Sequence, residues 1–72
     1  MNVFEAAKRI ETHVKNIVNE NTIQMNGVCA INNEGTILKF NCASKACADV
    51  GSSGWVFSWR YKGGEVEITP EG

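Results

Sequence analysis

The sequence predicts a small α+β fold: one N-terminal amphipathic helix packed on a four-stranded antiparallel sheet, in the order α-β-β-β-β. Three observations carry that expectation. Apolar residues recur at helical spacing through residues 3–18. Two turn signals, Asn32–Gly35 and Gly63-Gly64, each separate two runs of strand-forming residues. Four of the six aromatic residues, Trp55, Phe57, Trp59 and Tyr61, alternate strictly with Val56, Ser58 and Arg60.

The helix comes first. Val3, Ala6, Ala7, Ile10, Val14, Ile17 and Val18 fall on one face, and Glu5, Lys8, Arg9, Thr12, Lys15 and Asn16 on the other. Asn2 followed by Glu5 is a capping-box pattern, which starts the helix near Val3. Glu11 precedes Lys15 at the favourable i,i+4 spacing. The stretch NENT, residues 19–22, ends the helix without a glycine cap.

A first hairpin is predicted over about residues 22–42, with Asn32–Gly35 as a loop in which Gly35 takes the left-handed conformation. A four-residue loop sets Ile31 opposite Thr36, Cys29 opposite Leu38 and Met25 opposite Cys42. Ile23, Met25, Cys29, Ile31, Leu38, Phe40 and Cys42 then share one face. A three-residue loop would pair Ala30 with Leu38 and Val28 with Phe40, which separates apolar from polar residues less cleanly. Gly27 is a candidate for a kink or bulge in the first strand.

Residues 43–54, ASKACADVGSSG, are small and turn-prone and read as a connecting loop. Ser44 is placed to cap a single helical turn, and the GSSG end reads as a flexible connection. The second hairpin, about residues 55–69, turns at Gly63-Gly64, because glycine accepts the positive φ angles of a primed turn. That turn pairs Lys62 with Glu65, Tyr61 with Val66, Arg60 with Glu67, Trp59 with Ile68 and Ser58 with Thr69. Aromatics and aliphatics meet on one side, and opposite charges meet on the other. The aromatic row is therefore expected to be core rather than a stacking platform, leaving the sheet one dry face under the helix and one wet face.

Composition narrows the function classes. A chain of 72 residues is one domain, and with 43% hydrophobic and 21% charged residues it has the make-up of an ordinary globular protein. Seven Lys and Arg against eight Asp and Glu give a net charge of -1, without the basic surplus of a dedicated nucleic-acid binder. No apolar run has the length of a secretory signal or a membrane span, so a cytoplasmic protein with no membrane partner is expected. The three cysteines, Cys29, Cys42 and Cys47, are an odd count at irregular spacing and read as reduced thiols, with Cys29 and Cys42 turned inward.

Catalytic and metal chemistry find little to work with. The single histidine, His13, lies at the edge of the apolar helix face, and no motif places an acid to orient it against a cysteine. Cys42-Ala-Ser-Lys-Ala-Cys47 lacks the tight paired spacing of structural zinc. Gly51–Gly54 lacks the lysine and following helix of a phosphate loop. No enzyme and no cofactor are expected. The sequence points instead to a small protein-binding module, an inhibitor or modulator of a larger complex, of the kind phages and other mobile elements encode as accessory proteins. Its candidate partner-binding residues are Trp55, Arg60, Lys62, Glu65 and Glu67. A nucleic-acid-binding module using Trp55 with Lys39, Lys45, Arg60 and Lys62 is the second reading, and a zinc or thiol protein is the third. An open strand edge makes a homodimer a further expectation.

Overall fold

The computed structural model describes residues 1–71. Helix α1 spans Val3–Ile17, and four strands follow: β1 Gln24–Asn32, β2 Ile37–Cys42, β3 Gly54–Lys62 and β4 Glu65–Pro70. They form one antiparallel sheet in the spatial order β2-β1-β3-β4. The predicted α-β-β-β-β architecture is the one observed. The two hairpins lie side by side, so the aromatic strand β3 is central and paired on both edges. Among the described residues, no helix is long and apolar enough to cross a membrane.

Helix α1 begins where the Asn2 side chain accepts a hydrogen bond from the Glu5 backbone N–H at 2.9 Å. That bond satisfies one of the donors left open by the first turn. Ala6, Ile10 and Val14 are buried on the sheet side, with Val3, Ala7 and Val18 packed at the margin. Lys15 reaches Glu11 at 3.6 Å on the solvent side. Arg9 donates to the Gly35 carbonyl at 3.4 Å, tying the helix to the first hairpin turn.

The register between β1 and β3 sets out the core. It runs without interruption from Gln24↔Lys62 to Asn32↔Gly54 and places Ile31 beside Trp55, Cys29 beside Phe57, Gly27 beside Trp59 and Met25 beside Tyr61. The largest side chain thus neighbours the residue that has none. The Trp59 indole is 2% exposed, stacks on Phe40 with ring centroids 4.6 Å apart, and donates its N–H to the Phe40 carbonyl at 2.9 Å. Gly27 is therefore a clearance for the indole rather than a bulge. The main core joins Ala6, Ile10 and Val14 of the helix to Cys29, Ile31, Phe57 and Trp59 of the sheet. Burying the Ile10, Val14, Ile31 and Phe57 side chains stabilises the fold by about 1.5–3 kcal/mol each.

The second hairpin matches its predicted register pair for pair, from Lys62↔Glu65 to Ser58↔Thr69, and continues to Phe57↔Pro70. Gly63 and Gly64 have φ of 60° and 86°, as a primed turn requires.

The first hairpin closes in the register of the three-residue loop, not the four-residue one, and leaves that register after the first pair. Ile31 faces Ile37, Ala30 faces Lys39 and Val28 faces Cys42, with two irregularities along the way. The cause is local. The Asn32 side chain accepts from the Glu34 N–H at 3.0 Å and the Thr36 N–H at 2.8 Å, so a side-chain cap closes the turn. The bulges then spend extra residues on β2. Met25, Cys29, Ile31 and Phe40 join the helix side as predicted. Ile23 and Leu38 are instead 83% and 53% exposed, and Cys42 turns to the opposite face.

Candidate functional site

The sheet face away from α1 has two halves. One is covered. Ala30, Cys42, Ala48 and Val56 form a second small buried cluster, flanked by Val28 and Val50. The predicted wet face is thus partly dry, because residues 43–53 fold back over it. Val28, Ala30 and Val56 share the outward parity in the β1–β3 register, and Ala48 and Val50 of the loop supply the cover.

Cys42 and Cys47 form a disulfide, which corrects the expectation of reduced thiols. Their Cα atoms lie 6.0 Å apart, inside the span a disulfide bridges without backbone movement. A local turn brings them together: Cys47 N–H donates to the Ser44 carbonyl at 3.1 Å and Ala48 N–H to the Lys45 carbonyl at 3.0 Å. These are turn bonds, not the helical turn predicted from Ser44. The GSSG end is also anchored, since Asn33 N–H donates to the Ser53 carbonyl at 2.9 Å.

The other half is open, and it holds a shallow cleft of about 680 Å³. Asn26 and Arg60, Val28 and Ser58, Ser58 and Thr69, and Arg60 and Glu67 are cross-strand neighbours along its floor. Asn41, Cys42 and Ala43 form the side nearest the loop. Arg60 donates to Glu67 at 2.6 Å, yet both side chains are about half exposed, so the pair contributes at most about 1 kcal/mol to stability. It holds a charged pair in a defined orientation beside uncharged amide and hydroxyl groups. A hollow of about 90 Å³ continues the surface past Lys62 and Glu65.

The residues predicted to bind a partner therefore divide. Arg60, Lys62, Glu65 and Glu67 lie together on the open face. Trp55 does not join them: it sits beside Ile31 on the helix side, half-buried against the main core. Of the basic residues of the nucleic-acid reading, only Arg60 and Lys62 share the open face. Arg60 is ion-paired, Lys45 donates to the Glu71 carbonyl at 2.6 Å, and Lys39 lies on the far edge strand. Sequence reasoning missed Asn26, Ser58 and Thr69 as lining residues, although Ser58 and Thr69 were already paired across the second turn.

Thiol chemistry at Cys29 and metal binding meet specific obstacles. The Cys29 thiol is buried beneath the helix, and desolvation pushes it from its ordinary value of 9.0 to about 11, against the opposing hydrogen bond with the Phe57 backbone. A thiol so protonated is a poor nucleophile and a poor ligand. His13 packs against Phe40 with ring centroids 4.4 Å apart. Among the described residues, no group of three or more His, Cys, Asp and Glu converges on a common point. No family model, curated protein or solved structure matches this chain.

Proposed function

We propose that this chain is a non-enzymatic module that binds another protein through the open half of its sheet, acting as an inhibitor or modulator of a larger complex. The observation that carries this reading is the cleft itself. Its floor offers Asn26, Ser58 and Thr69 as hydrogen-bonding groups around the fixed Arg60–Glu67 pair. Both charge signs are present, which favours a mixed protein surface over a polyanion and sets orientation and on-rate more than affinity. Glu65 and Lys62 extend the same surface.

The test is affinity capture from the native host with wild-type protein and with Ser58→Tyr, a change that fills the cleft on a strand face suited to aromatics. A partner held by wild type and lost by folded Ser58→Tyr supports the reading. A partner held equally by both removes the cleft from it. Oligonucleotide binding that falls steeply with salt and is abolished by Arg60→Ala would replace a protein partner with nucleic acid.

A cytoplasmic location and a homodimer through the β4 edge belong to the same proposal. The location imposes a condition. In a reducing cytoplasm Cys42–Cys47 is a transient bond rather than a permanent one.

A further inference from the structure

We propose that Cys42–Cys47 is a reversible thiol–disulfide exchange site whose co-substrate is a dithiol, and that its opening releases residues 43–53 from the sheet. The two sulfurs are unequally placed. Cys42 is 5% exposed within the second cluster, whereas Cys47 lies on the exposed side of the turn. Attack is therefore directed at the Cys47 sulfur. A thiolate of the dithiol bonds to Cys47 Sγ, the Cys42–Cys47 bond breaks, and Cys42 leaves as a thiolate that takes up a proton. The second thiolate of the dithiol then displaces Cys47, which is protonated in turn. Two electrons pass to the protein, and the dithiol becomes a disulfide. Cys29 takes no part, because it lies buried on the other side of the sheet.

The loop has few other holds on the sheet. Its bonds Cys47 N–H to Ser44, Ala48 N–H to Lys45, and Gly51 N–H to the Asp49 carboxylate are all internal. Only small side chains, Ala48 and Val50, press on Ala30 and Val56. Asn33 to Ser53 anchors the far end, and Lys45 to Glu71 is exposed. Cutting the disulfide removes the constraint nearest the cleft, where Cys42 and Ala43 form the wall. Only this last step, from loop to cleft, rests on the proposed binding function.

The experiment treats native protein with dithiothreitol, alkylates with iodoacetamide, and counts modified cysteines by mass while following amide exchange. The expected result is alkylation of Cys42 and Cys47 but not Cys29, an unchanged far-ultraviolet spectrum, and exchange in residues 43–53 faster by roughly tenfold or more, with α1 and β3 unaffected. Cys47→Ser should reproduce the fast exchange. If that variant does not fold, reduced wild type supplies the same readout. The proposal is overturned if air-oxidised protein contains no disulfide, if reduction occurs only together with global unfolding, or if exchange in 43–53 does not change. Partner capture by oxidised and reduced protein is scored separately. Equal capture with a freed loop would leave the exchange site standing and count against the cleft as the binding surface.

Discussion

Replacing Gly27 by alanine probes the close approach of β1 to the buried Trp59 indole. The added Cβ would lie 2.8 Å from the Asn41 side-chain oxygen, 2.9 Å from Trp59 Cζ2 and 3.0 Å from Trp59 Nε1. Asn41 is exposed and can swing aside. The indole cannot, because it is 2% exposed, stacked on Phe40 and hydrogen-bonded to the Phe40 carbonyl. Overpacking of this kind costs about 1–3 kcal/mol, and replacing a strand glycine by alanine returns about 0.5–1 kcal/mol. The net loss is about 1 kcal/mol, within a range of roughly 0–2.5 kcal/mol, and for a domain of this size each kcal/mol lowers Tm by roughly 4–8 °C. Thermal unfolding by circular dichroism measures the shift, and tryptophan emission reports whether the indole has moved. Adding Asn41→Ala should not rescue the variant, since the ring is the obstacle. A Gly27→Ala protein more stable than wild type would show that the indole is not held where the account places it.

The other expectations follow from the same packing. Trp59→Ala should cost about 3–5 kcal/mol, a large share of the roughly 4–11 kcal/mol available to a chain of this length; a chemical denaturation curve that stays close to wild type would return the aromatic row to a binding role. Arg60→Ala should change stability by less than about 1 kcal/mol, because its ion pair is exposed, and a larger loss would mean that the open face is structural. Cys29 gives a pH signature. Its folded pKa is raised, so the folded chain holds its proton longer; the stability from that protonated thiol is complete below pH 9.0 and declines as pH rises towards about 11. Urea midpoints across this window should fall more steeply for wild type than for Cys29→Ala, and equal slopes would contradict the burial of the thiol.

The sequence was most legible where a short turn admits one geometry. Gly63-Gly64 leaves little freedom in the pairing of β3 with β4, so the register and the dry face could be read directly. Helix α1 was equally plain from its spacing and from Asn2. The first hairpin was harder, because Asn32–Gly35 supports loops of different length and the choice lies with Asn32 side-chain hydrogen bonds. The bulges in β2 then shift Leu38 and Cys42 away from their alternating positions, which periodicity cannot register. The second cluster depends on Ala48 and Val50 returning to Ala30 and Val56, a long-range contact with no local signature. The disulfide was hidden by an odd cysteine count, which one local pair and one buried thiol satisfy together. The charged part of the candidate site was readable from cross-strand pairing, whereas Trp55 was misplaced with it because its parity belongs to the core.

The most direct test of the open face as the working surface is a backbone-amide chemical-shift map recorded while a captured partner is titrated in. Perturbations should concentrate at Asn26, Ser58, Arg60, Glu67 and Thr69, with the outer face of α1 silent. Perturbations centred on Phe4, which is 82% exposed at the start of the helix, with the cleft unchanged, would contradict this expectation.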